Sequence, residues 1–123
     1  MTFQLAADAA AATMRLYALD VRVADPTVLV DEDELRTVLR EAADRGRARV
    51  VGEAFHVFPN GAVTGVLLLA QSHLSIHTWP ELLLANVDLL TYGDVDGELA
   101  LAHVQRRLGA VDATLERLGR GGR

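Results

Sequence analysis

The stretch that most constrains this chain is residues 48–92, where β-type segments follow one another with no room for a helix between them. Residues 48–58 (ARVVGEAFHVF) are rich in Val and Phe, Pro59-Asn60-Gly61 is a turn signal, and residues 62–71 (AVTGVLLLAQ) resume the β pattern. The two stretches read as a hairpin. The run Val66-Leu67-Leu68-Leu69 predicts a strand covered on both faces or lying centrally in its sheet. Residues 73–79 alternate, with His73, Ser75, His77 and Trp79 on one side and Leu74, Ile76 and Thr78 on the other. Residues 86–92 (NVDLLTY) form a further strand. A sheet with one apolar face needs a second layer.

The flanks supply it. Residues 14–23 (MRLYALDVRV) read as a first strand ended by Asp25-Pro26. Asp31 is an N-cap with Glu34 completing a capping box, and Leu35, Val38, Leu39 and Ala42 share a helical face opposite Arg36, Arg40, Glu41 and Asp44. Gly46 suits the stop. Asp94 or Asp96 caps a second helix, in which Leu101, Val104, Gln105 and Leu108 share a face. Arg106 and Arg107 sit near its C-terminal end, where cations are favoured, and Gly109 closes it. Residues 110–118 predict a last edge strand. The order is strand, helix, four strands, helix, strand. It predicts an α+β two-layer sandwich, an antiparallel-type sheet with two helices on one face. The other sheet face must be solvated or buried in a partner, and its aliphatic content favours a partner. One domain is expected over residues 13–119, with a flexible extension at 1–12 and a tail at 120–123.

Composition removes several functions. The formal charge of −5 argues against a nucleic-acid partner, which needs a basic surface. No apolar run reaches the roughly 18 residues of a membrane span, and the alanine-rich start lacks the basic region of a signal peptide, so a cytoplasmic protein is expected. There is no cysteine, which excludes disulfides, thiolate catalysis and cysteine metal sites. There is no lysine either, since all 12 basic residues are arginine. An enzyme that holds pyridoxal phosphate on a lysine is therefore excluded, and any carbonyl chemistry needs another electrophile.

Reactive side chains concentrate in residues 71–81, which hold Ser72, His73, Ser75, His77, Trp79 and Glu81. Three chemistries fit residue types alone. His73 and His77 at i and i+4 would chelate a metal on a helix, but Thr, Ile and Trp favour a strand, where they stand about 13 Å apart and share no ion. Ser72, His77 and Asp88 offer a serine–histidine–aspartate set, without the Gly-x-Ser-x-Gly elbow of a hydrolase. A binding module with structural histidines also fits.

The decamer Ser72-His73-Leu74-Ser75-Ile76-His77-Thr78-Trp79-Pro80-Glu81 closely resembles the signature of the prokaryotic S-adenosylmethionine decarboxylase family. Phe58-Pro59-x-Gly61-x-x-Thr64-Gly65 resembles the preceding loop and strand. Asn86-Val87-Asp88-Leu89-Leu90-Thr91-Tyr92-Gly93 resembles the following strand, and Leu19-Asp20 through Asp25-Pro26 fits the first. The likeness runs over roughly residues 14–110.

The resemblance implies a two-layer α/β fold that forms a homodimer with its sites between protomers. It implies a pyruvoyl cofactor, a covalent ketone made from Ser72, which answers the absence of lysine because it can form a Schiff base with the substrate's own amine. Ser72 would attack the carbonyl of Gln71 in an N-to-O acyl shift. Elimination and hydrolysis then leave chains 1–71 and 72–123. His77 matches the base that takes the α-proton in processing, and Thr64 stands where the family has an assisting serine. Phe58 matches an aromatic that stacks on adenine, and Glu81 an acid that binds the ribose hydroxyls. Either also suits a structural role, Phe58 as a hairpin anchor and Glu81 as a cap. Two positions depart from the pattern. Gln71 replaces glutamate before the cleavage point, and Tyr92 replaces the cysteine that protonates the product carbon. The implied function is decarboxylation of S-adenosylmethionine for polyamine synthesis. Decarboxylation of L-ornithine or L-arginine by the same chemistry is the alternative, and an unprocessed regulatory homologue the third.

Overall fold

The computed structural model describes residues 14–121. The expectations for residues 1–12, and for the end of the 120–123 tail, fall outside them. Strand β1 (Arg15–Val23) leads through a 3-10 turn (Pro26–Val30) into helix α1 (Glu32–Arg45). Strands β2 (Val50–Val57), β3 (Val63–Leu69), β4 (Ser72–Trp79) and β5 (Leu84–Thr91) follow, with a second 3-10 turn (Pro80–Leu82) between the last two. Helix α2 (Gly97–Leu108) and strand β6 (Ala110–Gly119) complete the order. The six strands form one sheet in the order β2-β3-β4-β5-β1-β6, with every neighbouring pair antiparallel.

Local chemistry sets the helix ends. The Asp31 side chain accepts from the Glu34 amide at 3.1 Å, and Asp96, not Asp94, accepts from the Leu99 amide at 3.0 Å. Each satisfies an amide that the first turn leaves free. Gly109 ends α2 with φ 70°, a conformation open to glycine without a Cβ penalty. The two helices meet where the Asp96 amide donates to the Gly46 carbonyl oxygen at 2.9 Å.

A single core lies between the helices and one sheet face. Leu35, Val38, Leu39 and Ala42 of α1 and Leu101, Val104 and Leu108 of α2 cover alternate residues of the strands, among them Leu19, Leu67, Leu74, Ile76 and Val87. The alternation in β4 is as expected, with Leu74, Ile76 and Thr78 buried. The reading of β3 as covered on both faces or central needs correction for the single chain. It lies second from an edge, Val63, Gly65, Leu67 and Leu69 face the core, and Leu68 is 51% exposed on the uncovered face. Gly65 has a packing reason to be glycine, because a Cβ there would overlap the ring of Phe55 across the strand pair. Among the described residues no helix is long and apolar enough to cross a membrane.

Candidate active site

The β3–β4 hairpin positions the first group. Leu69 pairs with Ser72, which leaves Ala70 and Gln71 as a two-residue turn. Gln71 takes φ 62°, a left-handed conformation that costs an L-residue about 1–2 kcal/mol. That strain sits on the residue whose carbonyl joins Ser72. Ser72 is half-buried, and its hydroxyl donates to the carbonyl oxygen of Leu90 on β5. A hollow of about 270 Å³ opens beside it, lined by Gln71, Ser72, Tyr92, Arg47, Arg49 and Asp94 among others. Arg47 is held there by donating to the Asp94 carbonyl oxygen at 2.8 Å. A group made from Ser72 itself needs a preceding carbonyl and a cavity beside the residue, and both are present.

The second group lies at the other end of β4. The cross-strand pair Thr64 and His77 brings Thr64 Oγ1 within 3.0 Å of His77 Nδ1. The neighbouring hollow, about 400 Å³, is lined by Phe58, Thr64, His77, Trp79 and Glu81 with smaller neighbours. It combines an exposed aromatic ring, a carboxylate, a hydroxyl and an imidazole. Such a set can stack on a planar base, accept from hydroxyls and move a proton.

Each predicted residue thus falls into one of two sets: Gln71, Ser72 and Tyr92, or Phe58, Thr64, His77 and Glu81. The sets do not meet within one chain. Ser72 and His77 are five residues apart along one strand, roughly 16 Å at about 3.3 Å per residue, and they have opposite parity on it. The serine–histidine–aspartate alternative is not assembled, because His77 pairs with Asn86 while Asp88 pairs with Ser75. Among the described residues no cluster of three or more His, Asp or Glu could hold a metal. Sequence reading assigned no role to Asp20 and Asn86. The Trp79 indole donates to Asn86 Oδ1 at 2.6 Å, and Asn86 Nδ2 donates to Asp20 Oδ1 at 2.7 Å. Only the strand register, which joins residues far apart in the chain, reveals this link.

A six-stranded antiparallel sheet backed by two helices, with a serine at a strained hairpin and a histidine–carboxylate hollow, makes this a two-layer α/β sandwich with a candidate active site. The family model for S-adenosylmethionine decarboxylase matches residues 15–121. The S-adenosylmethionine decarboxylase proenzyme of Pyrococcus abyssi is 36% identical over 106 residues, covering 85% of this chain and 76% of that protein. The proenzyme of Acidithiobacillus ferrooxidans is 38% identical over 98 residues, covering 79% of this chain and 74% of that one. The crystal structure of the adenosylmethionine decarboxylase from Aquifex aeolicus superposes with a TM-score of 0.81 at 28% identity, covering 88% of this chain and 90% of that one.

The chain belongs to the S-adenosylmethionine decarboxylase family, and it is therefore a carboxy-lyase of the pyruvoyl-dependent type.

Proposed function

We propose that this chain is a proenzyme that cuts itself between Gln71 and Ser72 and then decarboxylates S-adenosylmethionine, as a cytoplasmic homodimer in polyamine synthesis. The observation that carries the reading is the division of the site residues into two sets at opposite ends of β4, with the Thr64–His77 set on the uncovered sheet face and Ser72 at the rim. A two-fold axis running across the strands near Ser75 turns one end of β4 over the other end of its copy. Two sheets stacked face to face lie about 10 Å apart, within reach of side chains from both. The Ser72 end of one β4 then lies against the His77 end of the other. Ser72 shares parity with the core-facing Leu74 and Ile76, so it reaches Thr64, His77, Phe58 and Glu81 of the other protomer from the rim of its sheet, beside Gln71 and Tyr92.

The chemistry follows from these positions. Ser72 Oγ attacks the Gln71 carbonyl carbon, helped by the left-handed strain at Gln71. Imidazole is a competent base near neutral pH, so His77 takes the α-proton of residue 72 in the elimination, with Thr64 fixing its ring. Hydrolysis of the dehydroalanine left at residue 72, with loss of ammonia, would give a pyruvoyl ketone, and that group would supply an electron sink for the pair left when the substrate's carboxylate leaves as carbon dioxide. Phe58 stacks on the adenine and Glu81 accepts from the ribose hydroxyls. The Tyr92 phenol returns a proton to the product carbon, a role supported by its lining the same hollow as Ser72.

Tyr92 favours one second reading. A side chain this much larger than cysteine narrows the hollow beside Ser72, which suits L-ornithine or L-arginine. Intact mass of the purified protein should show two fragments divided at Gln71/Ser72. Carbon dioxide release with S-adenosylmethionine, L-ornithine and L-arginine side by side then separates the readings. Release from S-adenosylmethionine alone supports the first, release from either amino acid alone supports the second, and an uncut chain with no release rejects both.

A further inference from the structure

The hollow beside Ser72 has a charge balance that self-cleavage would change. Arg47, Arg49 and Asp94 line it together with Gln71, Ser72 and Tyr92, so it holds two arginines against one aspartate. Neither arginine has a carboxylate partner among the described residues, whereas Arg36, Arg40, Arg107 and Arg117 are each paired. Backbone geometry places both. Arg47 follows the end of α1 at φ 63°, and its Nη2 donates to the Asp94 carbonyl oxygen at 2.8 Å. The Ala70 amide donates to the Arg49 carbonyl oxygen at 2.8 Å, which holds Arg49 next to the turn that contains Gln71. Ordinary hydrolysis of a peptide bond leaves a carboxylate and an ammonium, whose charges cancel. The cut at Gln71/Ser72 leaves no such pair. In the elimination the base takes the α-proton of residue 72, the Cα–Cβ double bond forms, and the Cβ–Oγ bond breaks with its electron pair on the departing Gln71 carboxylate. Water then displaces the nitrogen of residue 72 as ammonia. One negative charge therefore stays at Gln71 with no new cation beside it.

On the self-cleavage reading, we propose that Arg47 and Arg49 bind the Gln71 carboxylate, first as the leaving group of the elimination and then as the C-terminus of chain 1–71. A guanidinium matches the two oxygens of a carboxylate, and its hold strengthens as negative charge develops on them. The pair therefore favours the elimination over the neutral ester that precedes it. The substrate's own carboxylate is a poorer occupant, because cations fixed on it stabilise the charge that decarboxylation must discharge.

The test follows the purified full-length chain by intact mass. Wild type should convert to chains 1–71 and 72–123. The double variant Arg47→Ala/Arg49→Ala should convert roughly tenfold or more slowly, and Arg47→Lys/Arg49→Lys should recover part of the rate. The slow variant should stall as the ester, so hydroxylamine should cut it at Gln71/Ser72 and release a fragment that begins with serine. Thermal unfolding supplies a second readout. The double alanine change should lower Tm more in enzyme given time to finish processing than in the uncut Ser72→Ala chain, which has no carboxylate at residue 71 and also reports whether the variant folds. Processing at the wild-type rate with equal Tm losses in the two backgrounds would overturn the proposal. A stall without a hydroxylamine-sensitive bond would also overturn it, by placing the defect before the elimination. So would wild-type processing with a raised KM for S-adenosylmethionine, which would give the arginines to the substrate. A wild-type chain that stays uncut would take down the self-cleavage reading and this proposal together, whereas a cut wild type matched by the double alanine variant would take down this proposal alone.

Discussion

The Thr78 hydroxyl donates to the Leu29 carbonyl oxygen at 2.7 Å and accepts from the Val63 amide at 2.8 Å. The residue is 3% exposed, so neither backbone group has water as a substitute. Thr78 lies inside the decamer that carries the family signature, yet its part is to pin the Pro26–Val30 turn and the start of β3 to β4. Thr78→Val keeps the shape and leaves two buried groups unpaired, at a cost of about 1–3 kcal/mol. Urea denaturation should show that loss as a lower midpoint with an unchanged slope. The contrast with His77 shows what was legible at this scale. Alternation along residues 73–79 told which side chains face inward. It could not tell that Thr78 reaches Leu29, 49 positions earlier, or that the indole of Trp79 reaches Asn86, because those partners depend on folds of the chain that leave no local pattern.

Between the helices, a group of charges forms a clamp. His103 of α2 is 4% exposed, with Nε2 2.8 Å from Glu41 Oε1 of α1 and Nδ1 3.0 Å from Arg106 Nη2. Arg107 pairs with Glu41 and with Glu34. The hydrogen bond from His103, opposed by desolvation and reinforced by the Arg107 guanidinium, holds the Glu41 carboxyl below the usual carboxylate range. Glu53 is lowered by Arg40 and Arg36, and Glu98 by Arg117. A carboxyl depressed in the folded state contributes stability that is present above its unfolded value. That stability is lost as pH falls through the lower folded value. Stability should therefore hold steady above about pH 5 and decline below the ordinary glutamate range. Glu41→Gln should flatten part of that decline, as read from urea midpoints between neutral and acid pH. The helix boundaries and their apolar faces were legible, because caps and the 3.6-residue period are local signals. The clamp was not, since His103 is buried by its meeting with Glu41, 62 positions away.

Across the whole molecule, the sheet divides two surfaces of different character. One is sealed by both helices. The other carries Leu68, Ser75, His77 and Trp79 with no element of the described chain over it. The surplus of aliphatic residues on the strands already pointed to a partner. The axis proposed to bring Ser72 to the far end of a copied β4 is argued from the strand register, which leaves no local pattern in the sequence. Leu68→Arg, at a position 51% exposed in the single chain, should leave the fold intact. It should also yield a monomer by sedimentation that stays uncut, because a charge at the centre of a face-to-face interface is desolvated without a counter-charge. The most direct measurement mixes two defective chains. Ser72→Ala and His77→Ala proteins are each expected to remain whole alone, and they are then co-expressed and the mass of every polypeptide is determined. If His77 acts on the Ser72 of its neighbour, the His77→Ala chain is cut after Gln71 in the mixture and the Ser72→Ala chain is not. A His77→Ala chain that stays intact beside a folded, associated Ser72→Ala partner would contradict the shared site.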